Sequence, residues 1–123
     1  TTGVVKTKLN LGDTMIKNNT YNVVVLPASG GIIPTQVDGT DGPNFKDIYA
    51  YIGCNTIEIT GARLNDKDYD LYINEEGRMT NNPMLNQKAT EYFVDWLDKE
   101  NRTTMIPNII GNAVLVERVP VNG

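Results

Sequence analysis

The last apolar run of the chain, "IIGNAVLVERV" from Ile109 to Val119, places the tightest restriction on the fold. A strand with one wet face alternates apolar and polar residues, whereas an almost continuous apolar run needs cover on both faces. The run therefore predicts a strand inside a sheet. Upstream, "TYNVVVLP" is a second β-branched run, ending at Pro27, and reads as a buried strand. The turn "ASGG" and the segment "IIPTQVDG" then return antiparallel, and Pro34, which lacks a ladder donor, points to an edge.

Two segments carry helical spacing. In "GTDGPNFKDIYAYIGC", Phe45, Ile48, Tyr49 and Ile52 share a face, Asn44 is placed to cap with Asp47 three residues on, and Gly53 closes the last turn. From Pro83 to about Asn101 the stripe is Leu85, Ala89, Tyr92, Phe93, Trp96 and Leu97, with Asn82 as the expected cap. Between them, "NTIEITGARL" and "DYDLYINEEGRM" read as strands, with Leu71 and Ile73 on one face and Tyr72 and Asn74 on the other. "GVVKTKLNLG" suggests a further edge strand at Val5 to Leu9. The order of strands, helix, strands, helix and strand predicts an α+β fold, a mostly antiparallel sheet with two helices packed on one face. A single domain over residues 1–123 is expected, with 1–20 as an N-terminal strand or extension and 21–119 as the core.

Composition removes several kinds of chemistry. The chain has no histidine, so Ser-His-Asp and Cys-His catalysis and histidine-bound metal are excluded. Its one cysteine, Cys54, permits no internal disulfide or thiolate cluster and reads as a small buried residue beside Gly53. A net charge of -4 argues against binding to a nucleic-acid duplex. No apolar window is long enough for a membrane span, and no basic-then-apolar leader is present. A soluble, cytoplasmic protein without membrane association is expected.

The adjacent acids Glu75 and Glu76 point apart in a strand or a turn, so they do not converge on one bond as a hydrolytic pair must. A hairpin explains them better, with Gly77 in the left-handed region and Arg78 starting the return strand. "DGTDG" and "LNDKDYD" lack the ligand spacing of a calcium loop, and "ASGG" lacks the Lys-Ser/Thr pair and helix of a phosphate loop. Neither a metal nor a catalytic residue is assigned.

The constellation with most promise is Arg78 with Asn81, Asn82 and the helix start after Pro83. Amides at residues 84–86 and the positive helix end attract anions, Arg78 supplies a planar donor fork for phosphate, and Tyr92 or Tyr72 offers a stacking face. The same residues also have a structural explanation. Asn82 satisfies the amides, Arg78 pairs with Glu76, and Tyr92 belongs to the core.

"VVVLP", "YIGCNTIEI", "NEEG", "PMLN" and "IIGNAVLV", spread from Tyr21 to Glu117, together resemble a family of small domains known mainly as a domain of unknown function. Its members occur in phages, prophages, plasmids and genomes of Gram-positive bacteria. That setting implies a non-enzymatic, cofactor-free homo-oligomer in the host bacterial cytoplasm that sequesters a cyclic nucleotide or cyclic ADP-ribose-type immune signal. Under this reading Arg78 holds phosphate, Asn81 and Asn86 bond base or ribose edges, and Tyr92 or Tyr72 stacks the base, with Asn82 completing the site. The alternative is a protein-binding inhibitor of a host defence or restriction factor, presenting Asp66, Asp68, Asp70, Glu75, Glu76, Asp95, Asp98 and Glu100. A metal phosphodiesterase is the third class, though no ligand spacing points to one.

Overall fold

A computed structural model describes residues 18–122, so the strand expected at Val5 to Leu9 lies outside the described residues. Strands β1 (Asn19–Leu26) and β2 (Ile33–Gly39) form the first hairpin. Its turn uses Gly30 at φ 111° and Gly31 at φ 105°, values that a Cβ would oppose. Pro34 sits opposite Val24 on β2, which is an edge strand, where the missing N–H is tolerated.

Helix α1 (Phe45–Ile52) follows. The Asn44 side chain makes no capping bond, contrary to expectation; its carbonyl instead accepts from Asp47 N at 3.1 Å and Ile48 N at 3.3 Å. Gly53 ends the helix as expected, at φ 79° with its N–H on the Tyr49 carbonyl. Strands β3 (Ile57–Leu64) and β4 (Lys67–Asn74) form a second hairpin. Asn65 and Asp66 both take positive φ there, as a two-residue hairpin turn matching the strand twist requires. Helix α2 (Gln87–Lys99) leads to the short β5 (Ala113–Val116).

The sheet order is β2-β1-β5-β4-β3, with every neighbouring pair antiparallel. The last strand thus fills the centre, as its apolar run requires, and all four of its residues are buried. Full burial of each Val or Leu side chain contributes about 1.5–3 kcal/mol. In the sheet the two hairpins are joined through β5, which pairs with β1 on one side and β4 on the other.

The α+β class and the antiparallel sheet agree with the sequence, but the two helices do not share a face. Ile48 and Ile52 of α1 pack with Val23, Val25, Tyr72, Val114 and Val116. Ala89 of α2 packs with Leu26, Leu71, Ala113 and Leu115, with Tyr92 and Phe93 beside them. These strand residues have opposite parity, so the helices cover opposite faces. A central strand that is apolar on both sides demands this, because each face of β5 needs its own cover.

Two further local expectations are corrected. Residues Gly77–Met79 form one turn of 3-10 helix rather than a hairpin, and the chain proceeds to α2 with no return strand. Gly77 is buried, and a Cβ there would meet the Ile110 carbonyl at 2.8 Å, so close backbone approach explains this glycine. Helix α2 starts at Gln87 with Asn86 as its cap, four residues later than Pro83 suggests. The intervening backbone is used elsewhere: Leu85 bridges Ile110, and the Met84 carbonyl accepts from Gly111 N at 2.8 Å.

Candidate functional site

The six residues singled out in the sequence do not converge. Asn86 is 1 % exposed and its side chain is fully engaged. Oδ1 accepts from Ala89 N at 3.0 Å, while Nδ2 donates to the Leu26 carbonyl at 2.8 Å and the Gly111 carbonyl at 2.9 Å. It ties the α2 start to β1 and to the approach to β5, and has no donor left for a ligand. Tyr72 is buried beneath α1 with its ring 6.2 Å from that of Phe45, on the opposite sheet face from Tyr92. Burial raises the pKa of both phenols, with smaller contributions from neighbouring acids, so each ring acts first as core. Asn81 and Asn82 are exposed in the loop before α2, and Asn82 caps no helix.

Arg78 stands in the wall of a cavity of about 210 Å³. Its Nη2 donates to the Asn108 carbonyl. Among the described residues it makes no ion pair, so the expected Arg78–Glu76 pairing is not formed. Strand β3 contributes Glu58 and Thr60 to the same cavity, β4 contributes Ile73 and Asn74, and Glu75 follows directly. Phe93 of α2 and the segment from Thr104 to Ile110 complete the lining.

The strand register explains how the carboxylates meet. Glu58 pairs with Ile73, and Glu75 N bonds the Thr56 carbonyl at 3.3 Å, so Glu58 and Glu75 are diagonal neighbours at the end of the β3–β4 hairpin. The Cα atoms of such neighbours lie about 7–8 Å apart, and both side chains line the same cavity. The acid pair adjacent in sequence thus separates, and Glu75 finds a partner on another strand. Neither Glu58 nor Phe93 was identifiable as a lining residue from local spacing, since register alone joins the first to Glu75 and helix placement brings in the second.

A second cavity, of about 430 Å³, shares Asn74, Gly77 and Ile110 with the first and includes Asn82 and Gly111. The Gly77–Ile110 contact therefore separates two adjoining hollows, one with Arg78 and the other with Asn82. A third, near 330 Å³, lies by Tyr72, Asp70 and Arg118, where Arg118 Nε meets Asp70 at 3.0 Å. Cys54 is partly buried against the α1-side core, and burial pushes its thiol above its ordinary pKa, which disfavours the nucleophilic thiolate. Among the described residues, no three acids and cysteines are grouped to hold a metal ion. Nor is any helix long and apolar enough to cross a membrane.

Comparison with known proteins gives one assignment. No curated protein and no solved structure matches the chain. A family model matches residues 21–123, from the third residue of β1 through β5 and beyond, taking in both helices and every wall of the Arg78 cavity. The chain belongs to the family described as domain of unknown function DUF3846.

Proposed function

We propose that the protein binds a nucleotide-type ligand in the Arg78 groove and holds it without chemical change. The observation that carries this reading is Arg78 itself, held in a cavity wall through the Asn108 carbonyl, unpaired with any acid among the described residues, and accompanied by Phe93. A guanidinium engaged by one carbonyl keeps further N–H donors for a phosphate or a base, and an aromatic face suits a base. Pockets for drug-sized ligands span about 300–1,000 Å³. At about 210 Å³ the groove accommodates one nucleotide portion, and the adjoining hollow past Gly77 gives the remainder of a cyclic molecule somewhere to lie.

The resemblance to phage and mobile-element domains supports the biological setting, that of a homo-oligomeric anti-defence sponge for a cyclic nucleotide or cyclic ADP-ribose-type signal. Isothermal titration against cyclic dinucleotides, cyclic trinucleotides and cyclic ADP-ribose isomers tests the reading, with chromatography of the recovered ligand. Saturable binding of an intact molecule, lost in Arg78→Gln, is expected. No binding at micromolar concentrations across the panel sinks it.

A second reading draws on the Glu58–Glu75 pair, two carboxylates at one end of the β3–β4 hairpin that line the same cavity, the kind of pair that glycoside hydrolysis uses. Recovery of a cleaved ligand in the same experiment, abolished in Glu58→Gln, would favour it. The acidic-inhibitor alternative has less support. Asp68 is paired with Arg63 and Lys99, Asp70 with Arg118 and Glu100 with Lys99, which thins the carboxylate array available to a partner.

A further inference from the structure

Two carboxylates and one guanidinium share the groove, and that ratio bears on which end of a nucleotide it takes. We propose that the groove reads a guanine base, with Glu58 or Glu75 accepting from the base's N1–H and N2 amino group while Arg78 meets the phosphate or the O6/N7 edge. This inference rests on the nucleotide reading above and names its ligand class.

The charge balance comes first. A phosphate placed between Glu58 and Glu75 would face two like charges against one Arg78, a repulsion that water moderates at these exposed side chains but does not reverse at such short range. The phosphate therefore belongs on the Arg78 side. What remains between the acids must donate hydrogen bonds, because an ionised carboxylate only accepts.

Base chemistry then narrows the choice. Guanine presents an N–H and an amino group side by side, matching the two oxygens of one carboxylate in a paired, charge-assisted contact. Adenine and cytosine set their amino group beside a ring nitrogen whose lone pair opposes a carboxylate oxygen. Uracil has a single N–H between two carbonyls. Arginine, for its part, pairs with the O6 and N7 acceptors that guanine alone among the four standard bases carries together. Phe93 supplies an apolar face for the ring, and Thr60 and Thr104 add hydroxyls able to donate or accept.

Titration of the full chain with GMP, AMP and IMP, and with cyclic di-GMP and cyclic di-AMP, tests the proposal. Guanine ligands are expected to bind at least tenfold tighter than their adenine counterparts. IMP, which keeps N1–H but lacks the N2 amino group, should fall between GMP and AMP. Glu58→Gln or Glu75→Gln should weaken GMP at least tenfold while leaving AMP nearly unchanged, with circular dichroism confirming the fold. Equal binding of guanine and adenine ligands, or unchanged GMP affinity in both variants, overturns the guanine assignment and leaves the nucleotide reading standing. Failure of every ligand, together with failure of the wider cyclic-nucleotide panel, overturns both.

Discussion

The Asn86 side chain donates to the Leu26 carbonyl at 2.8 Å across 60 residues of chain, fastening the start of α2 to the end of β1. The same amide reaches the Gly111 carbonyl, and its oxygen caps Ala89 N. Removing it leaves two carbonyls and one helix amide without their partners, in a site that is almost wholly buried. Asn86→Ala is expected to lower unfolding stability by about 2–4 kcal/mol, read by urea denaturation. Asn86→Asp keeps the cap acceptor but turns a carboxylate toward two carbonyls. Its folded pKa is therefore raised, and its stability deficit should be largest at neutral pH and shrink as pH falls below that folded value. A deficit independent of pH would show that the Leu26 and Gly111 contacts contribute little.

Gly61 and Trp96 hold β3 and α2 at close range. A Cβ built on Gly61 would lie 2.2 Å from the indole Cε2, inside any real contact distance. Gly61→Ala is expected to cost about 1–3 kcal/mol through overpacking. Combining it with Trp96→Leu should cost less than the two single changes added together, because the smaller side chain vacates the space. Additive losses in a double-mutant cycle would place the glycine's importance in backbone flexibility instead of in the indole contact.

These two positions also mark where sequence reading succeeds and where it stops. Strands β1 and β5, the Gly53 helix stop and the helical stripe from Ala89 to Leu97 all announce themselves through local period and residue type, so their existence was legible. The opposite-face packing of the helices depends on β5 entering the centre of the sheet, a relation between segments that no window contains. Asn86 could be mistaken for a ligand contact because an asparagine before a helix looks alike whether it serves a cap or a solvent-facing site. Arg78 was identified from its donor chemistry and does line a cavity, but its companions Glu58 and Phe93 arrive through register and helix docking. Gly77 was legible as a special position for the wrong cause, since both positive φ and close approach select glycine.

Asp68 receives both Arg63 Nη1 and Lys99 Nζ at 2.6 Å, joining the β3–β4 hairpin to the end of α2. The hydrogen bonds from Lys99 and then Arg63 hold its carboxyl below the ordinary value of 3.8. A lowered folded pKa means that its contribution is present above about pH 3.8 and is lost as pH falls through the folded value. Lys99 is raised above 10.5 by its bonds to Asp68 and Glu100, so its contribution is present below that pH and fades as pH rises through the folded value. Asp68→Asn should therefore flatten the acid limb of a stability-against-pH curve below about pH 4 and reduce the salt dependence near neutrality. An acid limb identical to that of the parent protein would mean the triad is too well solvated to couple to folding.

The contact between Gly77 and the Ile110 carbonyl ties the Arg78 turn to the segment entering β5. A Cβ at Gly77 would sit 2.8 Å from that oxygen, which is backbone and cannot rotate away, so Gly77→Ala must push the 3-10 turn off its seat. Arg78 moves with the turn, away from the segment holding Ile110, and its bond to the Asn108 carbonyl on that segment is then strained or lost. The expected outcome is a stability loss of about 1–3 kcal/mol together with weaker binding of the proposed nucleotide-type ligand, even though Gly77 has no side chain to contribute. A conservative control separates the two effects. Ile48→Val trims a buried side chain of the α1-side core, on the opposite sheet face from α2 and outside the lining of the Arg78 cavity, and should cost about 0.5–1.5 kcal/mol while leaving affinity nearly intact. If Gly77→Ala lowered stability but bound ligand as the parent does, the turn would be a strut for the sheet and Arg78 would reach its partner independently of where the turn sits.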